Sequence, residues 1–451
     1  MVASSMGDTI VDAILERARD LKQALIEFVL EAEGELAAAL ESYSAAHLRG
    51  QQPDINQRNL WLDTFLTEGK VGDKTPLDLF AEDRAELSNS DRALLLSWHH
   101  SFIGLFEIKQ VLEDGFELMN WLTAKHYTVK PNNEATKQEM SRFRPGDVLL
   151  TRIAPVTQTE WMFSGPCIPM GRLGKPKLAV AIGNFKHHYK HALYSDAPEL
   201  LEESWRSVEQ YHQDFLDFFG SDEVTMSGYE LSKKIAEMQE KVTQQRLADA
   251  GIDDSKSLAE IAAEAGVDSD EMELVAEAAG ADAKAVAKVL ESKQAMKMVM
   301  PKVELPAELK KAEKVTVLAH PRWGQMFLPT YYRFESLLIT DDPSGADNAD
   351  KLVRHYLESP EINAYVWYRL AEKYPVQLEK LLQTVLQRPD FQLGQDLPSL
   401  LQEFNKPIEP DLPEVASVPI HLHNLFQEAL AEVGQSRTKG KGKKKSDKGF
   451  Q

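Results

Sequence analysis

The sequence is poor in cysteine: Cys167 is the single one among 451 residues. A disulfide framework within the chain is therefore impossible, and so is a zinc site built on several thiolates. This usage is typical of a reducing compartment, and from it we predict a cytoplasmic protein. Pro166 and Pro169 flank the thiol, which predicts a rigid loop with a buried sulfur rather than a catalytic nucleophile.

Long apolar runs are also missing. The longest stretches, such as residues 178–182, are far too short to span a bilayer, and this one fits either a strand or the start of a helix. Residues 1–7 have neither the basic region nor the apolar region of a signal peptide. We therefore expect a soluble chain without a transmembrane segment.

Complete catalytic motifs are absent as well. A nucleophile elbow is not found, because residues 163–165 lack the preceding glycine. Residues 171–175 resemble a phosphate-binding loop only in part, and Pro176 predicts a basic turn with no helix to follow. His187 and His191 would share one face of a helix, but a third ligand is missing and the neighbouring lysines oppose a cation. We predict no catalytic residue, no metal and no cofactor; a metal-dependent hydrolase using these two histidines is the weakest alternative.

Charge is abundant but unevenly distributed. The chain has 51 basic and 71 acidic residues, a net charge of −20. Residues 437–448 contain seven basic residues and one acid, so this tail carries +6 and the rest of the chain −26. An acidic body repels nucleic-acid phosphates, which argues against general nucleic-acid binding. We predict a disordered tail, with a weak tether to RNA, ribosomes or an anionic membrane as the alternative.

Apolar periodicity predicts an α+β fold, mainly helical, with a small antiparallel β-barrel or bent sheet in the N-terminal half. Residues 8–48 are predicted to be helical, because apolar side chains from Ile14 to Ala32 recur every three or four positions, as on one helix face. Between residues 102 and 163, five or so short strands alternate with turn residues. The predicted modules are a helical N-terminal module (8–100), a β-barrel-like module (101–190), a helical segment (195–247), an acidic Ala-rich helical insert (248–300), a helical C-terminal module (301–434) and a disordered basic tail (435–451).

The insert contains a partial helix-turn-helix pattern. Residues 257–267 resemble its first helix and turn. The second helix would carry Glu271, Glu273 and Glu277, where DNA reading requires basic or amide side chains. We therefore expect no DNA reading.

Basic residues gather around the predicted barrel, with aromatic residues nearby. A cationic, aromatic face suits single-stranded RNA or an acidic protein partner. The alternative is a solvated barrel surface with its aromatic residues in the core. The candidate binding residues are Arg144, Arg152, Trp161, Arg172, Lys175 and Lys177 at the barrel, and Lys443, Lys444 and Lys445 in the tail.

Four segments carry a family resemblance. Residues 75–80 (TPLDLF), 91–98 (DRALLLSW) and 101–108 (SFIGLFEI) resemble a helical-plus-barrel region of uncharacterised bacterial proteins, some of which have a SEC-C zinc motif. Residues 144–152 (RPGDVLLTR) resemble the strand that follows. The chain as a whole is similar to an uncharacterised cyanobacterial and plastid-lineage family. The cysteine-rich SEC-C segment is absent, so zinc is not carried over, and the resemblance implies no established activity.

These observations favour a non-enzymatic, soluble interaction or scaffold protein with a protein partner. An RNA- or ribosome-associated factor, using the basic barrel face and the Lys-rich tail, is the second hypothesis.

Overall fold

A computed structural model describes residues 3–48, 54–132, 140, 142–249, 298–340 and 348–442. Contacts divide the chain into a first unit, Met1–Pro198 with Leu425–Gln451, and a second unit, Glu199–Asn424. The fold is α+β with a small barrel in the N-terminal half, as predicted. Most of the predicted insert 248–300 lies outside the described residues. Within the described residues, no helix is long and apolar enough to cross a bilayer.

The first unit begins with packed helices. The apolar stripe of the first helix is buried against the helices that follow it, and Phe65 and Trp98 are part of the same core. Gly34 has φ of +69°, a left-handed conformation that divides the predicted single helix over 8–48 into two. Asp54, Thr75 and Ser88 accept hydrogen bonds from the first turns of the three helices after that. The helices are α1 Ala3–Leu30, α2 Glu35–Leu48, α3 Ile55–Glu68, α4 Pro76–Asp83 and α5 Asn89–Ser97.

A closed barrel of five strands follows these helices. β1 pairs antiparallel with β2 and β4, β2 with β3, and β4 with β5, while β3 and β5 pair in parallel. The strand order around the barrel is therefore 1-2-3-5-4-1. Phe106, Leu149 and Phe163 are among the residues that fill its interior. The strands are β1 Phe102–Val111, β2 Phe116–Asn120, β3 His126–Lys130, β4 Asp147–Pro155 and β5 Glu160–Phe163.

A sixth strand and a helix extend the barrel region. β6, Ile168–Arg172, pairs with the first half of β4. α6, Lys175–His188, begins directly after it and includes the apolar run 178–182. The prediction that no helix follows this turn is therefore wrong. Pro176 lies in the first helical turn, where the missing N–H group costs nothing.

The second unit combines helices with small antiparallel sheets. β9 is the central strand of a three-stranded sheet, between β10 and β7, and β8 pairs with β11. Trp367, Phe334 and Tyr356 are fully buried in the core of the helices α10–α14. The elements are α7 Pro198–Phe219, β7 Glu223–Met226, α8 Gly228–Asp249, β8 Met298–Val299, α9 Ala307–Lys310, β9 Val315–His320, β10 Gly324–Leu328, α10 Tyr331–Ile339, α11 Ala349–Glu358, α12 Ala364–Lys373, α13 Pro375–Leu386, α14 Leu393–Glu403, β11 Val418–Pro419 and α15 Ile420–Gly442. The last of these extends to Gly442, so the prediction of disorder is wrong for residues 435–442, which are helical.

A buried lysine in the second unit gives this unit a testable pH dependence. The Nζ atom of Lys406 donates hydrogen bonds to the carbonyl oxygens of Ser359, 2.8 Å away, and Ile362, 2.5 Å away. No carboxylate of the described residues pairs with it. Burial lowers the pKa of Lys406 to about 8. The unfolded chain therefore holds this proton to a higher pH than the folded chain does, and the lysine favours folding more as the pH rises above about 8.

We expect the stability difference between the wild type and Lys406→Met to shift in favour of the wild type between about pH 8 and pH 10. Below about pH 8 the full desolvation cost of the ammonium is present, and it disappears as the folded-state amine loses its proton. Urea unfolding of both proteins across this range measures the change. If the free energies of unfolding of the two proteins changed with pH in parallel, the lowered pKa of Lys406 would be contradicted.

Candidate functional site

Two of the predicted binding residues lie at the same turn of the barrel. Arg144 lies in the turn before β4, where the Asp147 carboxylate accepts a hydrogen bond from its backbone N–H at 2.8 Å, and its guanidinium donates to the Phe143 carbonyl oxygen at 2.9 Å. Arg172 ends β6 directly opposite Asp147 and donates from Nη2 to the Pro145 carbonyl oxygen at 2.7 Å. Gly146 has φ of +89°, and a Cβ atom there would lie 3.1 Å from the Arg172 Nε. The turn thus needs glycine, and both arginines beside it are exposed.

The two predicted lysines continue this surface along the chain. Lys175 and Lys177 lie in the first turn of α6, just after Arg172, and both are exposed. The Nζ of Lys175 forms an ion pair with Glu428 at 3.0 Å, which compensates part of its charge. We call Arg144, Arg172, Lys175 and Lys177 the basic cluster. The tail candidates Lys443, Lys444 and Lys445 lie outside the described residues.

Arg152 does not belong to this surface, and its predicted place on an exposed face is wrong. Its side chain is completely buried. Its Nη1 pairs with Glu68, and its Nη2 donates to the Thr67 hydroxyl at 2.5 Å and to the Ser101 carbonyl oxygen at 3.0 Å. The strand β4 turns this position toward α3, so the guanidinium joins the helices to the barrel instead of meeting solvent.

A second buried cation extends the network around Arg152. Asp63 of α3 lies 3.4 Å from the Arg152 Nε and 2.5 Å from the Lys22 Nζ. The Lys22 ammonium also donates to the Ser164 hydroxyl at 2.9 Å. Burial lowers the pKa of Lys22, while the charge of Asp63 opposes that change. Because the amine is already paired with a carboxylate and all of these side chains are largely buried, the arrangement fastens α1 and α3 to the barrel.

The aromatic residues near the basic cluster lie in the core or pack against it. Trp161, the predicted binding residue, is partly exposed and packs edge-to-face against Phe102 and Tyr127, at 5.7 and 5.1 Å between ring centroids. Phe163 and Phe185 are buried. Phe163 and Phe185 are therefore not available for stacking on bases, and Trp161 is partly covered.

The strand order of the barrel, with its parallel β3–β5 pair, is that of an oligonucleotide/oligosaccharide-binding (OB) barrel. Such barrels use the face of strands 2 and 3 and the loops beside it. On that face, Glu117 of β2 pairs with His126 of β3 at 2.8 Å. Lys130, at the end of β3, is held between Asp114 and Glu160. The likeness in topology does not by itself carry nucleic-acid binding.

The residues considered for catalysis do not form a site. His187 lies in the last turn of α6, whereas His191 lies in the short 3₁₀ segment after it, 3.7 Å from Glu68. Among the described residues, no group of three or more His, Cys, Asp and Glu side chains is arranged to hold a metal ion. Cys167 is buried, as predicted, with its sulfur 3.5 Å from the Thr151 hydroxyl.

No family model, no curated protein and no solved structure matches this chain.

Proposed function

We propose that the chain is a non-enzymatic interaction or scaffold protein whose basic cluster binds an acidic segment of a protein partner. The observation that supports this most directly is that the exposed residues Arg144 and Arg172 lie at the same turn: the Arg144 backbone N–H donates to Asp147, and the Arg172 guanidinium donates to the Pro145 carbonyl oxygen. Guanidinium groups bind carboxylates through paired hydrogen bonds, which gives them more directional selectivity than ammonium groups have.

The surroundings of the basic cluster favour a carboxylate-bearing partner over RNA. Stacking on single-stranded bases uses exposed aromatic rings, whereas Phe163 and Phe185 are buried and the partly exposed Trp161 packs edge-to-face against Tyr127. The chain without its tail carries −26, so a polyanion as dense as RNA is repelled at long range. A short acidic segment can meet the cluster while keeping the rest of its charge away from the acidic body.

RNA or ribosome association is the second candidate. The OB-type strand order and the Lys-rich tail with Lys443, Lys444 and Lys445 favour it. Under this alternative the tail and the basic cluster would contact phosphates without reading bases.

Neutralising the two arginines should separate these candidates. We expect the double variant R144Q/R172Q to bind a fluorescent poly-glutamate peptide about tenfold more weakly than the wild type, since two exposed charged contacts are removed. Fluorescence anisotropy at low and at physiological salt measures both affinities. The matched control R58Q/K70Q changes two exposed basic residues of the same unit, one in α3 and one in the loop after it, and should bind like the wild type.

The same titrations with a short oligouridine test the alternative. Tighter binding of oligouridine than of the peptide, lost in R144Q/R172Q, would replace the proposal with the RNA reading. Equal peptide binding by the wild type and R144Q/R172Q would contradict a role for the basic cluster.

A further inference from the structure

A groove in the second unit has a different chemistry from the basic cluster. It encloses about 540 Å³ and opens where α12, α13 and α14 meet. This volume falls in the range of sites that take small organic groups or large side chains. The groove is lined by Tyr368, Ala371, Glu372, Pro375, Val376, Glu379, Leu393, Gly394, Leu397 and Pro398.

The walls of the groove are mainly apolar, and part of that surface is open to water. Leu393 and Leu397 are buried beneath it, whereas Val376, in the first turn of α13, is 60% exposed. Leaving an apolar side chain uncovered beside an apolar groove forfeits the favourable free energy of its burial. A partner that inserts apolar groups here would recover it.

The rim of the groove is acidic. Glu372 and Glu379 are its charged lining residues, and no basic side chain is part of the lining. The Glu372 side chain is 73% exposed, with Arg369 3.5 Å away on the same helix. Glu379 accepts a hydrogen bond from the Leu393 backbone N–H at 2.9 Å, which fixes this carboxylate between α13 and the start of α14. The rim thus has one carboxylate held in place, that of Glu379, and one exposed carboxylate, that of Glu372, beside an apolar centre.

We propose that this groove docks a short helical segment of a partner protein that presents apolar side chains flanked by lysine or arginine. Apolar anchors spaced one helical turn apart would enter between α13 and α14, and the basic side chains would meet Glu372 and Glu379. Charge complementarity selects this occupant, because the charged residues of the lining are Glu372 and Glu379, which attract lysine or arginine and repel carboxylates. The site is separate from the basic cluster, since it lies in the other unit and prefers the opposite charge.

Designed peptides provide the probe. The first is a fluorescent helical peptide with leucines at positions i and i+4 and lysines around them. The second has glutamates in place of the lysines, and the third has serines in place of the leucines. Anisotropy titrations of the wild type should rank the Leu/Lys peptide first, with the other two at least about tenfold weaker.

Substitutions in the groove should weaken the Leu/Lys peptide selectively. Val376→Lys should reduce its affinity about tenfold or more, because the exposed apolar contact is lost and the new ammonium repels the lysines of the peptide. Glu372→Lys should reduce it about threefold and flatten its salt dependence. Ile339→Lys is the matched control, because Ile339 is 68% exposed on the same unit but does not line the groove. R144Q/R172Q should bind this peptide like the wild type. A negative result for the groove can therefore be told apart from a negative result for the basic cluster.

Gly394→Leu is a second test that does not depend on placing a charge near the core. A Cβ atom at Gly394 has nothing within 4 Å, so the added side chain fits the fold and partly fills the groove. We expect an unchanged or raised melting temperature with weaker peptide binding. Equal binding by Gly394→Leu and the wild type, or equal affinity of the Leu/Lys and Leu/Glu peptides, would overturn the proposal. Equal binding of the Ser/Lys peptide would also overturn it, because general attraction to the acidic body would then be sufficient.

Discussion

Arg152→Glu is expected to unfold the first unit rather than to remove a contact from a folded binding surface. The guanidinium is fully buried and pairs with Asp63 and Glu68 while donating to Thr67. A carboxylate at this position would face two other carboxylates and leave the Lys22–Asp63 pair without its second cation. Breaking a buried ion pair costs about 3–5 kcal/mol, and reversing the charge adds repulsion to that cost. A loss of this size is comparable to the whole stability of many domains.

Thermal and urea unfolding monitored by circular dichroism measure this effect. Arg144→Glu is the matched control, because it makes the same change of charge at an exposed position of the same barrel, where about 0.5 kcal/mol or less is expected. If Arg152→Glu and Arg144→Glu unfold at the same urea concentration, the buried network is not a determinant of stability. The comparison also shows why Arg152→Glu is unsuitable as a binding probe: lost binding would report lost structure.

The strands of the barrel could be predicted because each one carries its own local pattern. β1 to β5 are short β-branched and aromatic segments separated by turn residues such as Glu113, Asp114 and Gly115. Their order could not be predicted in the same way. The parallel pairing of β3 with β5 and the closing pair of β1 with β4 join segments that are distant in the chain, and no local pattern encodes such pairings.

The sequence around Arg152 indicates its burial, which a count of basic residues does not show. Arg152 lies within β4, where the neighbouring residues are almost all buried. Lys22 gives the same kind of signal, because it falls on the apolar stripe of α1, four residues after Ala18 and three before Leu25. A cation at a position that the periodicity assigns to the core indicates a buried ion pair. Arg144 and Arg172 lack this signal, and both are exposed.

The groove in the second unit could not be predicted from the sequence. Val376, Glu379 and Gly394 belong to an ordinary amphipathic pattern, in which each helix has one apolar face and one polar face. The opening depends on where α12 ends at Lys373 and where α14 begins at Leu393, and therefore on the packing of three helices. Helix ends are the least certain part of any reading of periodicity.

Trp367→Ala is expected to destabilise the second unit by about 3–5 kcal/mol, the usual cost of truncating a buried aromatic side chain. The indole is fully buried and meets Phe334 and Tyr356 edge-to-face, at 5.9 and 6.3 Å between ring centroids. Its Nε1–H has no hydrogen-bond partner among the described residues, so the tryptophan is retained for its volume.

Trp367→Phe should cost clearly less than Trp367→Ala, because it leaves a smaller cavity and removes an unpaired buried donor. Tyr229→Ala, at a side chain that is 76% exposed in the same unit, is the matched control and should cost about 0.5 kcal/mol or less. Urea unfolding of the three variants gives the comparison. If Trp367→Phe were as destabilising as Trp367→Ala, volume would not explain the tryptophan, and the indole N–H would have to contribute an interaction of its own.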